Sequence, residues 1–563
     1  MASASHSPMS SLGGRGENQG QTEGQALDTV RSLNSRDAAA EYSLESMSMG
    51  YGDGVLSQIR SRTRSPADHT LIGWEADDPD NPHNWSTRKK SFVVFVTVML
   101  VLNSTMSSSL PSMAIPNITA EFGTSSPTEN VLPISVFLIG YIFGPLIWGP
   151  LTEHFGRRNL SVITFALFSL FTLACALAPG WESFLVFRMF CGACAGAPIA
   201  IVAGILADVF GEHRTRGRAY AVFLCATTWG PLFAPIVSGY TSTTIGWRWT
   251  FWVGLIYAGV TFFIVIWLPE TFGPVLLARR AQRMREENAP PALRVIAPRE
   301  LEETSIRQLL TVVITRPIRM LASELIVTAS CAYLALVYAI FYMSFQAFPI
   351  IFRDLYGLSP GNTGLTYLPV GVGGALSLCV FWYWDNVLAR AQQRGTSWAK
   401  REEFRRLPLA VLGGPLFVAS LFWLGFSART SVPFAVPMLA GIPFGMGYVL
   451  IFMALLNYLT DSYDIFAASA NAAASCCRSI LAVVLPLATT HMFKQLGIAG
   501  ACALIGGLSA VMCAIPFIFI WKGPSIRARS KFCIALREQK EEVQRRADDA
   551  QRARVERARR REK

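Results

Sequence analysis

The sequence predicts an all-α membrane protein of twelve spanning helices arranged as two pseudo-symmetric halves of six. Three observations carry this. Apolar blocks long enough to cross a bilayer, about 18 residues or more, recur twelve times along the 563 residues. Hydrophobic residues make up 52 % of the chain and charged ones only 16 %, against about 25 % charged in soluble proteins. The basic residues are also sorted between loops. Arg157, Arg158, Arg214, Arg216, Arg218, nine arginines from Arg279 to Arg319 and a cluster from Arg390 to Arg406 occupy alternate loops; the others offer only Arg248, Arg353, Arg429 and Lys494. By the positive-inside rule both termini are cytoplasmic.

The spanning segments are expected at Phe92–Leu110, Val131–Trp148, Leu160–Ala178, Phe184–Leu206, Ala219–Tyr240 and Trp249–Leu268, then at Leu321–Phe348, Gly364–Trp384, Leu407–Phe426, Val432–Leu455, Phe466–Met492 and Ile498–Trp521. Residues 1–90 form a cytoplasmic tail, too poor in aliphatics over most of its length to offset the entropy of ordering. Ser61 and Ser65 stand near arginines there and are candidates for phosphorylation. At its end, WEADDPDNPHNW (Trp74–Trp85) has the two tryptophans of a headgroup-level anchor. Residues 91–269 make the first half, 270–320 a basic cytoplasmic loop, 321–521 the second half and 522–563 a basic cytoplasmic tail. Asn117-Ile118-Thr119, in the first outward loop, is a glycosylation sequon.

Several function classes are disfavoured. The net charge of +12 is a matter of topology and of attraction to anionic lipid rather than of nucleic-acid binding. Eleven cysteines fall mostly inside apolar segments as small packing residues, so neither disulfides nor a metal centre is expected. His154, His213 and His491 have no catalytic partner at suitable spacing, and GxxxxGK[ST] is absent, so neither an enzyme nor an ATP-driven pump is expected. No cofactor is implied.

Three local patterns carry mechanism. GPLTEHFGRR joins the second and third segments: Gly149 and Gly156 permit a tight reversal, and Glu153 can sit at a helix start or pair with Arg157 or Arg158 as a charge latch between halves. In the fourth segment Arg188, Gly192, Gly196, Ala200 and Gly204 recur every four residues, a smooth packing face carrying one intramembrane charge. Such a charge faces the bundle interior or a water-filled cavity. In the fifth segment, Gly230 and Gly239 flank Pro231 and Pro235, two prolines that each remove a backbone hydrogen bond and bend the helix.

GPLTEHFGRR resembles the loop between helices two and three of the major facilitator superfamily, with Glu153 where the family usually has Asp. Arg188-x-x-x-Gly192 resembles its helix-4 signature, and TTWGPLFAPIVSGY resembles the antiporter signature of drug exporters, with Ala234 in place of a glycine. WRWTFW, LPET, NPHNW, the stretch Phe348–Pro369 and Asn457–Arg478 are similar to the fungal twelve-helix drug:proton antiporters, a likeness covering Trp74 to Trp521. The resemblance implies a major facilitator fold and proton-driven export of a small amphipathic organic compound from a monomeric protein of the cell membrane. It further implies that Arg188 acts in proton coupling by tuning a nearby carboxylate, and it points to Glu324 at the start of the seventh segment, where Leu325 replaces the group's usual proline. No carboxylate lies at mid-membrane, so the proton carrier is open among Glu324, Asp208 and Glu153. Tyr338, Tyr342 and Gln346 at four-residue spacing, with Asn471 and Arg478 in the eleventh segment, are candidate substrate contacts. Import of a nutrient or polyamine, or sensing without flux, are the alternatives.

Overall fold

A computed structural model describes residues 69–538, except 75–76, 125, 127–128, 287–293, 298–305 and 464–465, together with residues 541 and 545. Ser61 and Ser65, the rest of the tail before residue 69 and nearly all of the tail beyond 538 lie outside the described residues.

The helices run in order α1 Thr87–Ser109, α2 Ile115–Phe122, α3 Leu132–Phe155, α4 Arg157–Ala176, α5 Trp181–Ala195, α6 Ala197–Val209, α7 His213–Thr244, α8 Arg248–Val265 and α9 Gly273–Glu286. There follow α10 Ile306–Ser323, α11 Leu325–Phe348, α12 Pro360–Leu365, α13 Leu368–Gln393, α14 Glu402–Ser427, α15 Ala435–Leu439, α16 Gly441–Tyr463, α17 Ala467–Met512 and α18 Ala514–Arg529. Among the described residues, eleven stretches are long and apolar enough to span a bilayer, with bounds close to those read from the sequence. The last, Ala467–Arg529, has 63 residues. A helix of that length would extend roughly 95 Å, three times a bilayer core of about 30 Å. The chain breaks inside it at Gly497, whose φ of 68° reverses direction, so this stretch supplies two crossings and the bundle has twelve.

Three bounds differ from expectation for identifiable reasons. The turn expected over 149–158 is much shorter: α3 runs on through Phe155 and Gly156 alone, at φ 87°, makes the reversal. The seventh segment is split at Glu324, where α10 ends and α11 begins. The central loop is partly helical, containing α9 and most of α10. The chain divides into two compact units, residues 1–81 with 273–303, and 82–272 with 304–563. Within the smaller unit, β1 His69–Leu71 pairs in parallel with β2 Arg294–Ile296, and Arg280 of α9 forms an ion pair with the buried Asp78. Asp78 belongs to the stretch read as a headgroup anchor.

In the larger unit, close helix packing depends on absent side chains. Any Cβ on Gly192 of α5 would collide with the Phe137 backbone of α3, and Gly196 of the same stripe lies against Gly144. The second half repeats the device: Gly445 of α16 abuts the Val370 carbonyl of α13, and Gly373 the Ile442 carbonyl. Helices two and four thus pack as helices eight and ten do. The halves meet through the matching pairs α3 with α17 and α7 with α13. Gly192→Val is therefore expected to abolish monodisperse protein in detergent chromatography, whereas Gly259→Ala, which faces open space, should leave the elution profile and melting temperature at or above wild type.

Candidate functional site

The membrane interior holds few charges, and the partners of each define what the protein can do. At the face bearing the basic loops, the first amides of α4 donate to a single carboxylate, Glu270, from the segment after α8. Its oxygens accept from the N–H of Arg157 (2.9 Å), Arg158 (3.3 Å), Thr271 (3.0 Å) and Phe272 (3.0 Å). A buried anion at a helix N-terminus meets both the orphan amides and the positive end of the dipole. Glu153, expected to be able to fill that place, lies on the exposed side of α3. The Arg157 side chain lies against Gly204, hydrogen-bonds Thr152, and pairs with Asp208 at 3.2 Å. Arg158 donates to the Ile266 carbonyl at 3.1 Å. Gly149 lies within α3 with no neighbour crowding it.

Arg188 of α5 is fully buried. Its guanidinium donates to the carbonyls of Pro133 (2.9 Å), Ser107 (2.9 Å) and Ser108 (3.1 Å), and lies 4.5 Å from the Phe137 ring centroid. The two serine carbonyls end α1, where Pro111 has no N–H to offer Ser107. Arg188 is thus the C-terminal cap of α1, a cation at the negative end of a helix dipole. Among the described residues no carboxylate bonds to it, so the acid expected beside it is not among its partners.

The two prolines of α7 remain inside one continuous helix. Pro235 cannot donate to the Pro231 carbonyl, and the Ser109 hydroxyl of α1 does so instead at 2.9 Å. Gly230 is pressed against Leu102 and Thr105 of α1. On the face opposite the basic loops, Gly239 meets the Pro360 carbonyl of α12, and Gly364 meets the Pro235 carbonyl. The Gly/Pro stripe of the first half is therefore a surface against which the second half packs. On the basic face the halves are joined by Arg214 and Arg218 of α7, both 3.0 Å from Asp385 of α13. Sequence reading missed this pair; a lone acid at the end of the eighth apolar segment was the available signal.

Between these faces lies an aromatic centre. Tyr342 of α11 shares a 2.8 Å hydrogen bond with Ser108 of α1, across the halves, and lies 3.5 Å from the Tyr338 hydroxyl. Phe341 stacks on Tyr448 at 4.8 Å and Tyr448 on Phe452 at 4.6 Å. Arg478 of α17 lies 5.1 Å from the Tyr338 ring and 5.5 Å from Phe452. Its Nη2 donates to Ser475 at 3.1 Å, while its buried Nε has no partner. An unmet buried donor costs about 1–3 kcal/mol, more when charged. Of the expected contacts, Tyr338, Tyr342 and Arg478 come together. Asn471 is tied to Thr460 at 3.0 Å, and Gln346 is half-buried with no hydrogen bond among the described residues. Tyr448 and Phe452, four residues apart on α16, complete the centre and were not singled out from the sequence.

Glu324 is buried before the first turn of α11 and accepts from the Tyr463 hydroxyl at 3.0 Å and the Phe532 amide at 3.4 Å; no described cation pairs with it. Outside the bundle, Asn117 lies exposed on α2 and its amide donates to the Ser242 carbonyl at 2.6 Å. On the same helix, hydrogen bonds from Arg248 and Trp247 hold the Glu121 carboxyl below the usual range.

Two six-helix halves with charges inside the bundle and contacts between them on both faces have the architecture of a membrane carrier. The chain matches the Major Facilitator Superfamily over residues 96–486. It is 36 % identical over 471 residues to the MFS-type efflux pump MFS2 of Trichophyton rubrum, covering 83 % of this chain and 78 % of that protein. To the citrinin biosynthesis cluster MFS transporter mrr1 of Monascus ruber it is 36 % identical over 494 residues, covering 85 % and 96 %. The efflux pump FUBT of Fusarium oxysporum is 34 % identical over 462 residues, covering 82 % and 77 %. Among solved structures, the proton:xylose symporter XylE superposes with a TM-score of 0.56 over 78 % of this chain and 96 % of that one, at 16 % identity, a likeness of fold. The chain belongs to the major facilitator superfamily and is a multi-pass membrane transporter.

Two variants test the site. Glu270→Ala strips four amides of their acceptor and is expected to lower stability by about 2 kcal/mol, read by thermal melting in detergent, with Glu270→Gln intermediate. Asp385→Ala removes a half-exposed ion pair of about 0.2–1 kcal/mol. It should speed maleimide labelling of Cys225, buried where α7 meets Gly374 of α13, by about two- to fivefold.

Proposed function

We propose that this transporter exports a small amphipathic organic compound, is driven by inward proton movement, and works by alternating access as a monomer in the cell membrane with both termini cytoplasmic. The observation that carries the direction is that two relatives aligned over more than four-fifths of this chain, 83 % and 82 %, bear the name efflux pump. The surface formed by Gly230, Pro231, Pro235 and Gly239, which meets both α1 and the second half, supports it as the stripe that seals and reopens the outer face. The Arg214–Asp385–Arg218 cluster serves as the inner closure. Gly149, Glu153, Gly156, Arg157 and Arg158 serve as the latch at the inner face, where Arg157 ties α4 to α6 and to Glu270.

Glu324 is the proton carrier of this reading. Asp208 is committed to Arg157, and Glu403 to Arg527; among the described residues Glu324 is a buried acid held by a hydroxyl and one long amide bond. Arg188 takes part in coupling by fixing the end of α1, whose Ser108 reaches Tyr342 in the other half. Tyr338, Tyr342, Gln346, Asn471 and Arg478 face the substrate. Asn117 carries glycan if the Ser242 bond is released.

The test is efflux from cells preloaded with fluorescent organic compounds, with and without a protonophore. Export is expected to collapse with the protonophore and to fall at least about tenfold in Glu324→Gln. Export indifferent to the gradient would remove the proton drive, and net accumulation would reverse the direction.

A further inference from the structure

We propose that the compound carried is an aromatic organic anion, a carboxylate or an ionised phenol, and that Arg478 is the group that recognises its negative charge. This deepens the export reading and rests on the aromatic centre being its substrate site.

The protein supplies its own comparison. Arg188 shows what a structural arginine looks like in this bundle: completely buried, with three donors on three carbonyls at the close of a helix. Each of its three nitrogens already donates to a carbonyl. Arg478 is buried almost as deeply, at 8 % exposure, but is answered by one serine hydroxyl. Its Nε is sealed from solvent without a partner, and no described carboxylate pairs with it. A guanidinium offers five donors in a planar fork matched to a carboxylate. A positive charge held at bilayer depth with this much unused donor capacity is the counterpart of an anion that comes and goes.

The neighbours specify the rest of the ligand. Tyr338 and Phe452 flank the guanidinium, and Phe452, Tyr448 and Phe341 continue as stacked rings 4.6 to 4.8 Å apart. Such rings take a planar aromatic body by offset stacking. The Tyr338 hydroxyl, which donates to Tyr342 at 3.5 Å, and the Tyr342 hydroxyl, shared with Ser108, form the polar edge. A lipophilic cation would meet the Arg478 guanidinium with no described carboxylate bonded to it, which disfavours it electrostatically at this centre.

The experiment uses the purified full-length protein in detergent at neutral pH, with binding read by quenching of intrinsic tryptophan fluorescence. The probes are 1-naphthoate and 9-anthracenecarboxylate, each compared with its primary amide, a neutral analogue of nearly the same shape. Each acid is expected to bind about tenfold or more tighter than its amide. Arg478→Gln should erase that gap, and Arg478→Lys should retain part of it. Equal binding of acid and amide by wild type, absence of acid binding, or a gap unchanged in Arg478→Gln would each overturn the assignment; the wild-type comparison needs no variant to fold. The two readings fail separately. An acid–amide gap in binding without export of either compound from cells would sink the export reading and leave the recognition intact. Export of neutral compounds without a gap would do the reverse.

Discussion

A charge inside a bilayer must be answered by the protein, and in this bundle the ends of helices give the answer. An arginine at the centre of a spanning helix costs about 2.5–3.5 kcal/mol even on insertion scales. Arg188 meets that cost by capping the last carbonyls of α1, two of which have lost their own donors near Pro111. Glu270 mirrors it, accepting two of the first amides of α4 together with those of Thr271 and Phe272. Opposite charges thus sit at opposite helix ends, each where the backbone is short of partners. The packing of α1, α3, α4 and α5 depends on these two caps. Against them Arg478 stands out as the buried charge that the backbone leaves largely unanswered.

The halves are joined through symmetry-matched helix pairs. Their long contacts, α3 with α17 and α7 with α13, are equivalent under the internal symmetry, as rocking about a central site requires. The closures at either end differ in physics. On the basic face the contact is charged and half-exposed, through Asp385. On the other it is backbone against backbone, through Gly239, Gly361 and Gly364 with the α7 prolines. The first is weak and salt-sensitive; the second depends on shape. The Ser108–Tyr342 bond passes through the middle, linking the helix that Arg188 caps to the aromatic centre.

Much of this was legible in the sequence. Apolar run length located the crossings, because in lipid only a helix satisfies its own backbone. The break between the last two, where the 63-residue stretch turns at Gly497, fell in the gap between the expected segments. Four-residue spacing found the packing stripe of α5 and α6, since i and i+4 share a face. What escaped was long-range pairing. Glu270 follows Arg157 by 113 residues and Asp385 follows Arg214 by 171, and no local pattern connects them. The charged string after Gly149 was readable as a turn because its composition is that of a loop, but all of it before Gly156 is the end of α3. Tyr448 and Phe452 were hidden among other aromatics on an apolar helix whose every face is covered. Asn471 and Arg478 stood out because polar groups at that depth are rare.

The most direct test of the central claim, proton-coupled export, is substrate-induced proton movement in proteoliposomes loaded with a pH-sensitive dye. With no imposed pH gradient, an outward gradient of an exported compound should drive protons inward, acidifying the lumen in step with flux. That signal should vanish in Glu324→Gln. Flux of the compound with no change in lumenal pH would contradict the account, because the carrier would then be moving its substrate without the proton.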